Sequence, residues 1–526
     1  VRKVGWEESV ADWVDSPRGR WWMSAMVVVL SVLFLGLFLY AAVKRMRYPF
    51  EVEWIESGML VSALRLAHGQ GLYVRPTLDF VPFLYTPLYL YVAAAVTRVV
   101  GVVGHPYLAQ RLVSTVATLG SCAAVYALVM TETRRRVAGV AAAGLFVACY
   151  SVVGGFYDIG RVDSLFVMLL LVALLLQRRG YPVVAALVWV LVFQTKQTVL
   201  PLAVVILLAE WQRPRRMLTA LAVFLVAVGG SVAVMNHATG GWYGFYIFHV
   251  ARGLPIVARQ AALYVPVMVL APMTLAWGVI GAAVLLTRVS WRSPGAMFYG
   301  LVSFALIGGV WFVEAHAGAS MNAMMPVYAW TAVLFGVSVA RLLALAEGAP
   351  RMELLVLLAV AAQLVALVYN PGRYVPPVEA TVRGERFVAA LRALPGDVYV
   401  VNHSYDAVLA GKQPHAEGEA LGAVLDAGPK DAQYGPMVAA LRAELDAAMA
   451  QHRYTAVVVD DLSTTETSWH FERAYPLEVS TGLSPLRYLT SQAQWFLLPC
   501  DATEAVKKDL LRPDAVVAAV ACGVVR

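Results

Sequence analysis

Residues 21–58 read WWMSAMVVVLSVLFLGLFLYAAVKRMRYPFEVEWIESG. The run is apolar from Trp21 to Val43, then breaks into Lys44, Arg45 and Arg47, followed by Glu51, Glu53 and Glu56. A membrane-spanning helix needs about 20 apolar residues, so the first part reads as a span. It is too long for a cleavable signal and lacks a small-residue cleavage site. The same alternation of apolar blocks and short charged turns continues to about residue 370. The chain has 526 residues, 60% of them hydrophobic and 14% charged, with a mean hydropathy of +0.67. A soluble domain carries about 25% charged residues. This balance excludes an ordinary cytosolic enzyme, a disordered chain and a disulfide scaffold.

Twelve apolar blocks begin near Trp21, Phe83, Tyr107, Val137, Ser164, Tyr181, Pro201, Met217, Ala261, Ala296, Met324 and Met352. Charge decides which of them cross. If Phe83–Val103 lies at the interface instead of spanning, one side of the membrane receives Arg134, Arg135, Arg136, Arg178, Arg179, Arg213, Arg215, Arg216, Arg288, Arg292 and Arg351. The other side receives Arg161, Lys196, Arg252 and Arg259 in its short loops. Positive charge concentrates in cytoplasmic loops, so this arrangement is the expected one. The sequence therefore predicts eleven spans with the N-terminus cytoplasmic and the C-terminus outside. Residues 1–20 are the cytoplasmic start, 21–370 the membrane region (44–106 its first outer loop), and 371–526 an extracytoplasmic domain. The net charge of +7 follows from the arginine-rich loops and gives no reason to expect nucleic acid.

Past Pro371 the composition turns soluble. Asp397–Asn402 and Thr455–Asp460 read as strands, with helical periodicity over Tyr434–His452 between them, which predicts a small α/β domain. No glycine-rich nucleotide motif is present. Cys500 and Cys522 can pair if this domain lies outside, whereas Cys122 and Cys149 sit in apolar blocks.

The chemistry-bearing candidates lie in the outer loops. Glu51 and Glu53 share a face if the segment is extended, and Glu53 and Glu56 share one if it is helical. A solvated acidic loop is the plain alternative. In the next loop, Tyr157-Asp-Ile-Gly-Arg-Val-Asp-Ser164 adds Asp158, Arg161 and Asp163. Charges at membrane depth are costly and usually line a functional cavity. Asp163 also suits the N-terminus of the following helix. Glu53, Asp158 and Asp163 form a candidate oxygen-ligand set for a divalent cation, Mg2+ or Mn2+. Lys196 lies at the turn between two blocks, as a snorkelling anchor or as a point charge for a phosphate. Asn236, His237, Tyr246, His249, Arg252, Arg259, His316 and Asn322 read as ordinary interfacial residues.

Taken in order, these segments resemble the glycosyltransferase C (GT-C) superfamily, near bacterial protein O-mannosyltransferases and lipid A aminoarabinose transferases (family 39-like). The resemblance covers roughly residues 21–370. It is carried by the acidic motif after the first helix, Leu66-Ala-His-Gly-Gln-Gly-Leu-Tyr73, Tyr85-Thr-Pro-Leu-Tyr89, Asp158–Asp163 and Lys196-Gln-Thr198. Gly318-Ala-Ser-Met-Asn322 and Pro326 resemble a late loop of such enzymes. The chain departs from the family in offering three glutamates where aspartate is frequent, and Tyr85-Thr-Pro-Leu where Lys-Pro-Pro-Leu is usual.

The resemblance implies a multi-pass protein of the bacterial inner membrane. It implies inverting transfer of a sugar from a polyprenyl-phosphate donor to a glycan, lipid or protein on the extracytoplasmic face. Glu53 is the expected general base, with Glu51, Glu56 and Asp163 as further catalytic candidates. Lys196, Arg161, Arg259 and Tyr85 are expected at the donor phosphate. Membrane lipids are the other expected partners. A flippase of lipid-linked sugars and a non-catalytic scaffold of the same fold are the alternatives; internal repeats common in transporters are not visible.

Overall fold

The computed structural model describes residues 17–250, 256–288, 290, 293–316, 319–427, 431–460, 474–475, 477–480, 495–500 and 516–519. The opening apolar run is one helix, α1 (Pro17–Met46), with Lys44 and Arg45 in its last turn, where cations suit the negative end of the helix dipole. Two shorter helices follow, α2 (Ile55–Ala67) and α3 (Leu88–Val100). The 13 residues of α3 rise about 20 Å, less than the roughly 30 Å of a hydrocarbon core. The block beginning at Phe83 therefore contains no helix long enough to span.

The helical region continues through α4 (Leu108–Thr133), α5 (Arg136–Ala148), α6 (Asp163–Arg178), α7 (Pro182–Thr195) and α8 (Leu200–Leu207). Then come α9 (Pro214–Ala238), α10 (Ala258–Leu286, π-helical over Tyr264–Leu270), α11 (Pro294–Glu314), α12 (Met325–Leu345) and α13 (Pro350–Ala366). Proline opens α7, α9, α11 and α13 in the first turn, where its missing N–H breaks no helical bond. Within α4 the hydroxyls of Thr115 and Ser121 donate to the carbonyls of Arg111 and Ala117, so neither is left unpaired in an apolar setting.

Six helices among the described residues are long and apolar enough to cross a membrane, or seven if α13 joins the next helix across a 44° bend. The other blocks of the eleven expected spans fall on α5, α6, α7 and α8, of 13, 16, 14 and 8 residues. Every expected block is helical, but these four are too short to cross unaided. The 26-residue α4 is about 39 Å long, and its ends mark the two faces of the bundle. Arg134, Arg135 and Arg136 lie at one end, with ion pairs Arg178–Glu132 at 2.6 Å and Arg135–Glu347. The first-loop glutamates and the C-terminal region lie at the other.

The C-terminal region is α/β, as its alternating pattern predicts. It begins with α14 (Val378–Ala393), and its helices α15 (Ser404–Leu409), α16 (Gly418–Ala427) and α17 (Gly435–Ala450) lie between β1 (Val398–Val400) and β2 (Ala456–Val459). β1 and β2 pair in parallel, Val398 opposite Ala456. β3 (Leu477–Ser480), β4 (Trp495–Leu498) and β5 (Val516–Ala519) complete a sheet of order β1-β2-β4-β3-β5, with antiparallel pairing beyond β2. Cys500 is disulfide-bonded; Cys522 lies outside the described residues. Cys122 and Cys149 are free thiols.

This region packs on the first loop. The Tyr405 amide donates to Ser57 Oγ at 2.8 Å, and the Ala416 amide donates to the Leu78 carbonyl at 2.9 Å. Gly58 permits the approach, because a Cβ there would sit 2.5 Å from the Glu417 side chain.

Candidate functional site

The three glutamates of the first loop have three different environments. Glu56 sits in the first turn of α2 and is fully buried. Arg111, near the start of α4, grips it with Nε at 3.0 Å and Nη2 at 2.7 Å. The amides of Val52 and Gly160 also donate to Glu56, at 2.8 and 2.6 Å. Burial opposes its charge, but Arg111 and the two amides prevail and lower its pKa. The remaining donors of Arg111 go to the carbonyls of Arg45, Tyr48 and Phe50. All five guanidinium N–H groups are thus engaged, and the start of the first loop is tied to α4. Glu56 is a structural keystone with no free oxygen.

Glu51 turns the other way, toward the C-terminal region, and its Oε1 is in ion contact with His403 Nδ1. Burial pushes its pKa well above the usual range against the pull of His403.

Glu53 alone joins the remaining site residues. Its Oε2 accepts from the Ile55 amide at 3.1 Å, and its Oε1 from Arg161 Nη1 at 2.6 Å. Burial pushes Glu53 up to about 7, although the Arg161 charge pulls the other way. Arg161 also donates to the Tyr85 hydroxyl at 3.3 Å and pairs with Asp163 at 3.4 Å. Asp163 in turn accepts from Lys196 Nζ at 2.8 Å and is hydrogen-bonded by Asn322. The result is one chain of charge, Glu53–Arg161–Asp163–Lys196, drawn from three loops. Asp163 is the first residue of α6 but makes no cap; its carboxylate is spent on Lys196 and Arg161.

Asp158 is separate. It pairs with Arg45 at 2.8 Å and accepts from the Tyr150 hydroxyl at 3.0 Å. Arg45 also donates to the carbonyls of Tyr374 and Gly155. Gly155 takes φ +78°, where an added Cβ would lie 2.7 Å from the Tyr374 ring. The expected cation ligands therefore do not form one set: Asp158 is held apart by Arg45, while Glu53 and Asp163 share Arg161 and Asp163 also pairs with Lys196. Among the described residues no group of three or more His, Cys, Asp or Glu side chains is placed to hold a metal ion. The residues present do not fit Mg2+ or Mn2+ here. Arg259, expected at the phosphate, is exposed on α10 and is not bonded to the chain of charge.

Lys196 and Asp163, with Thr198 and Asn322, line a small cleft whose other walls are Phe166, Val167, Leu202, Leu306, Val310 and Val313. One end can meet an anion, and the rest can meet hydrocarbon. Sequence reasoning placed Glu53, Arg161, Asp163, Lys196 and Tyr85 at the site, and the structure brings all five together. It passed over Arg111 and left Asn322 among the ordinary residues. A signal for Arg111 was present: an arginine inside the apolar block that begins at Tyr107.

Fold and site together define a multi-helix protein with membrane-length apolar helices and a C-terminal α/β region, a fold that solved structures share. The chain is similar to the crystal structure of ArnT from Cupriavidus metallidurans bound to undecaprenyl phosphate, with a TM-score of 0.57 and 13% identity over 90% of this chain and 98% of that one. The apo state of that protein matches with the same TM-score and identity, over 89% and 97%. The Archaeoglobus fulgidus oligosaccharyltransferase in complex with Zn and sulfate aligns at a TM-score of 0.48 and 11% identity, over 91% of this chain and 74% of that one. No family model matches the sequence, and a comparison with curated proteins finds no match.

Proposed function

We propose that the chain is a membrane glycosyltransferase that moves a sugar from a polyprenyl-phosphate donor to a hydroxyl of a glycan, lipid or protein. The observation that carries this reading is the Lys196–Asp163 pair at the head of an apolar cleft, wired through Arg161 to Glu53. The undecaprenyl phosphate named for the similar ArnT structure supports the same donor class.

In this reading the donor phosphate meets Lys196, with Arg161 and the Tyr85 hydroxyl beside it, while the prenyl chain follows the apolar wall. Asp163 is a positioning residue that holds both cations. Glu53 is the general base. The acceptor oxygen attacks the anomeric carbon from the face opposite the phosphate, its proton passes to Glu53, and the bond from sugar to phosphate oxygen breaks with inversion. The electron pair leaves on the phosphate, where Lys196 and Arg161 stabilise it. The occupied oxygens of Glu56 and the contact of Glu51 with His403 support the choice of Glu53. The mechanism routes no step through a metal.

The site and residues 371–526 lie on the extracytoplasmic side of a bacterial plasma membrane, with the N-terminus and the arginine-rich end in the cytoplasm. The test is to incubate the purified protein in liposomes with labelled polyprenyl-phosphate sugars and extracted membrane lipids. Free polyprenyl phosphate and a labelled product support transfer. Movement of unchanged lipid between leaflets would establish a flippase instead, and neither event would leave a scaffold.

A further inference from the structure

Histidine recurs where the C-terminal region meets the membrane region. His403 Nδ1 faces Glu51 of the first loop, while its Nε2 meets Asp460 Oδ1 of the C-terminal region at 2.6 Å. His415 repeats the pattern, with Nδ1 at 3.1 Å from Asp79 of the first loop and Nε2 at 3.0 Å from Asp397 of the C-terminal region. His249, in the loop after α9, reaches Asp431 at 3.2 Å. One permanent cation joins the same seam, Arg453 to Asp79 at 3.2 Å.

The chemistry of the first two rings is specific. A neutral imidazole has one N–H and one lone pair, whereas an imidazolium donates from both nitrogens. The His403 ring, held between Glu51 and Asp460 from the two sides of the seam, satisfies both contacts only while the proton shared between the ring and Glu51 is retained. Loss of the proton turns a lone pair toward a carboxylate and leaves a buried charge unmatched.

We infer that the seam between the first loop and the C-terminal region is a proton-operated clasp, closed while His403 is charged. The clasp acts two residues from Glu53, so opening it frees the loop segment that carries the proposed base. The clasp itself rests on the seam geometry and not on the transferase reading.

The surroundings agree with the inference. Burial alone would lower the pKa of His403, but Asp460 and Glu51 outweigh it and hold the ring well above the usual histidine range. Asp406 and Glu417 face the same ring, pushed up by burial to about 6 and about 8. Glu417 accepts from the Ser404 hydroxyl and amide. Around His415 the further charged groups are Arg453 on Asp79 and Lys412 beside Asp397. With the folded pKa of His403 raised, its contribution is complete below the unfolded value near 6.5 and is lost as pH rises through the folded value.

Two amides report the seam directly: Tyr405, bonded to Ser57 Oγ, and Ala416, bonded to the Leu78 carbonyl. Their hydrogen–deuterium exchange would be followed on the full-length protein in detergent from about pH 5 to about pH 10, with the intrinsic pH dependence of exchange removed. Protection at both amides is expected to fall at least about tenfold in a single titration, while amides within α4 stay protected. Asp460→Asn removes one of the two carboxylates that hold the proton, so the midpoint is expected to move down by about one pH unit or more. His403→Gln is expected to leave low protection with no midpoint. Protection independent of pH in the parent protein overturns the clasp. So does an unchanged midpoint in Asp460→Asn, because a purely packing role for His403 predicts that result. These readouts need no substrate, so loss of the transferase reading would not affect them.

Discussion

Glu53→Gln tests the chemistry of the site with the least change of shape: its one oxygen still accepts from Arg161, and only the bond from the Ile55 amide to the second oxygen is given up. Burial places Glu53 at about 7, so about one-tenth of it is ionised near pH 6 and about nine-tenths near pH 8. A reaction that needs the ionised carboxylate as base accelerates roughly ninefold over that interval in kcat/KM. In Glu53→Gln the rise disappears and turnover falls by about 10²–10⁴-fold. The assay is release of polyprenyl phosphate from a labelled donor across the pH range, with thermal unfolding in detergent as the folding control. A folded variant that keeps its turnover, or loses turnover but retains the same pH limb, would refute Glu53 as the base. If Glu51→Gln alone removed the limb, the base would lie on the seam with His403 and the proposed mechanism would be wrong at that atom.

Arg111→Met is expected to destabilise the fold by about 3–5 kcal/mol, since it strands the buried Glu56; urea or thermal unfolding measures it. Arg111→Lys should rescue little, because three donors cannot serve the Glu56 carboxylate and three carbonyls together. Lys196→Ala is expected to weaken donor binding about 10- to 100-fold, as for a lost charged hydrogen bond, seen as a rise in donor KM, with some loss of thermal stability because Asp163 keeps only Arg161 as a charged partner. Arg259→Ala should leave donor KM within about twofold, in keeping with its exposure and the small effect of most surface substitutions.

Much of the fold was legible because membrane insertion writes itself into composition: apolar block lengths and arginine placement need no tertiary information. The four short helices were less so. The block near Val137 ends in Ala148, yet residues 149–155 fold as turns with Cys149, Tyr150 and Val153 buried, and apolarity alone does not distinguish a buried turn from more helix. At the site, the ExExxE spacing marked three carboxylates but not their partners. Those come from positions 403, 161 and 111, and no local periodicity links residue 53 to residue 161 or residue 51 to residue 403. The shared cation set failed for the same reason. Asp158 and Glu53 have basic partners far away in the chain, Arg45 and Arg161, and Asp163 is shared by Arg161 and Lys196.

The shortness of α5, α7 and α8 has a consequence for the lipid around the protein. Helices of 13, 14 and 8 residues rise about 12–21 Å, while the 26 residues of α4 rise about 39 Å. Where short helices face lipid the apolar belt is expected to be thinner than beside the long ones, and hydrophobic mismatch makes lipid thin locally. Lys196 lies between α7 and α8, on the thin side. A headgroup plane drawn inward at this flank would bring a lipid phosphate to the cleft with little displacement from its leaflet. Acyl-chain length thereby becomes a determinant of access: shorter-chain bilayers favour entry at this flank, and longer-chain ones resist it.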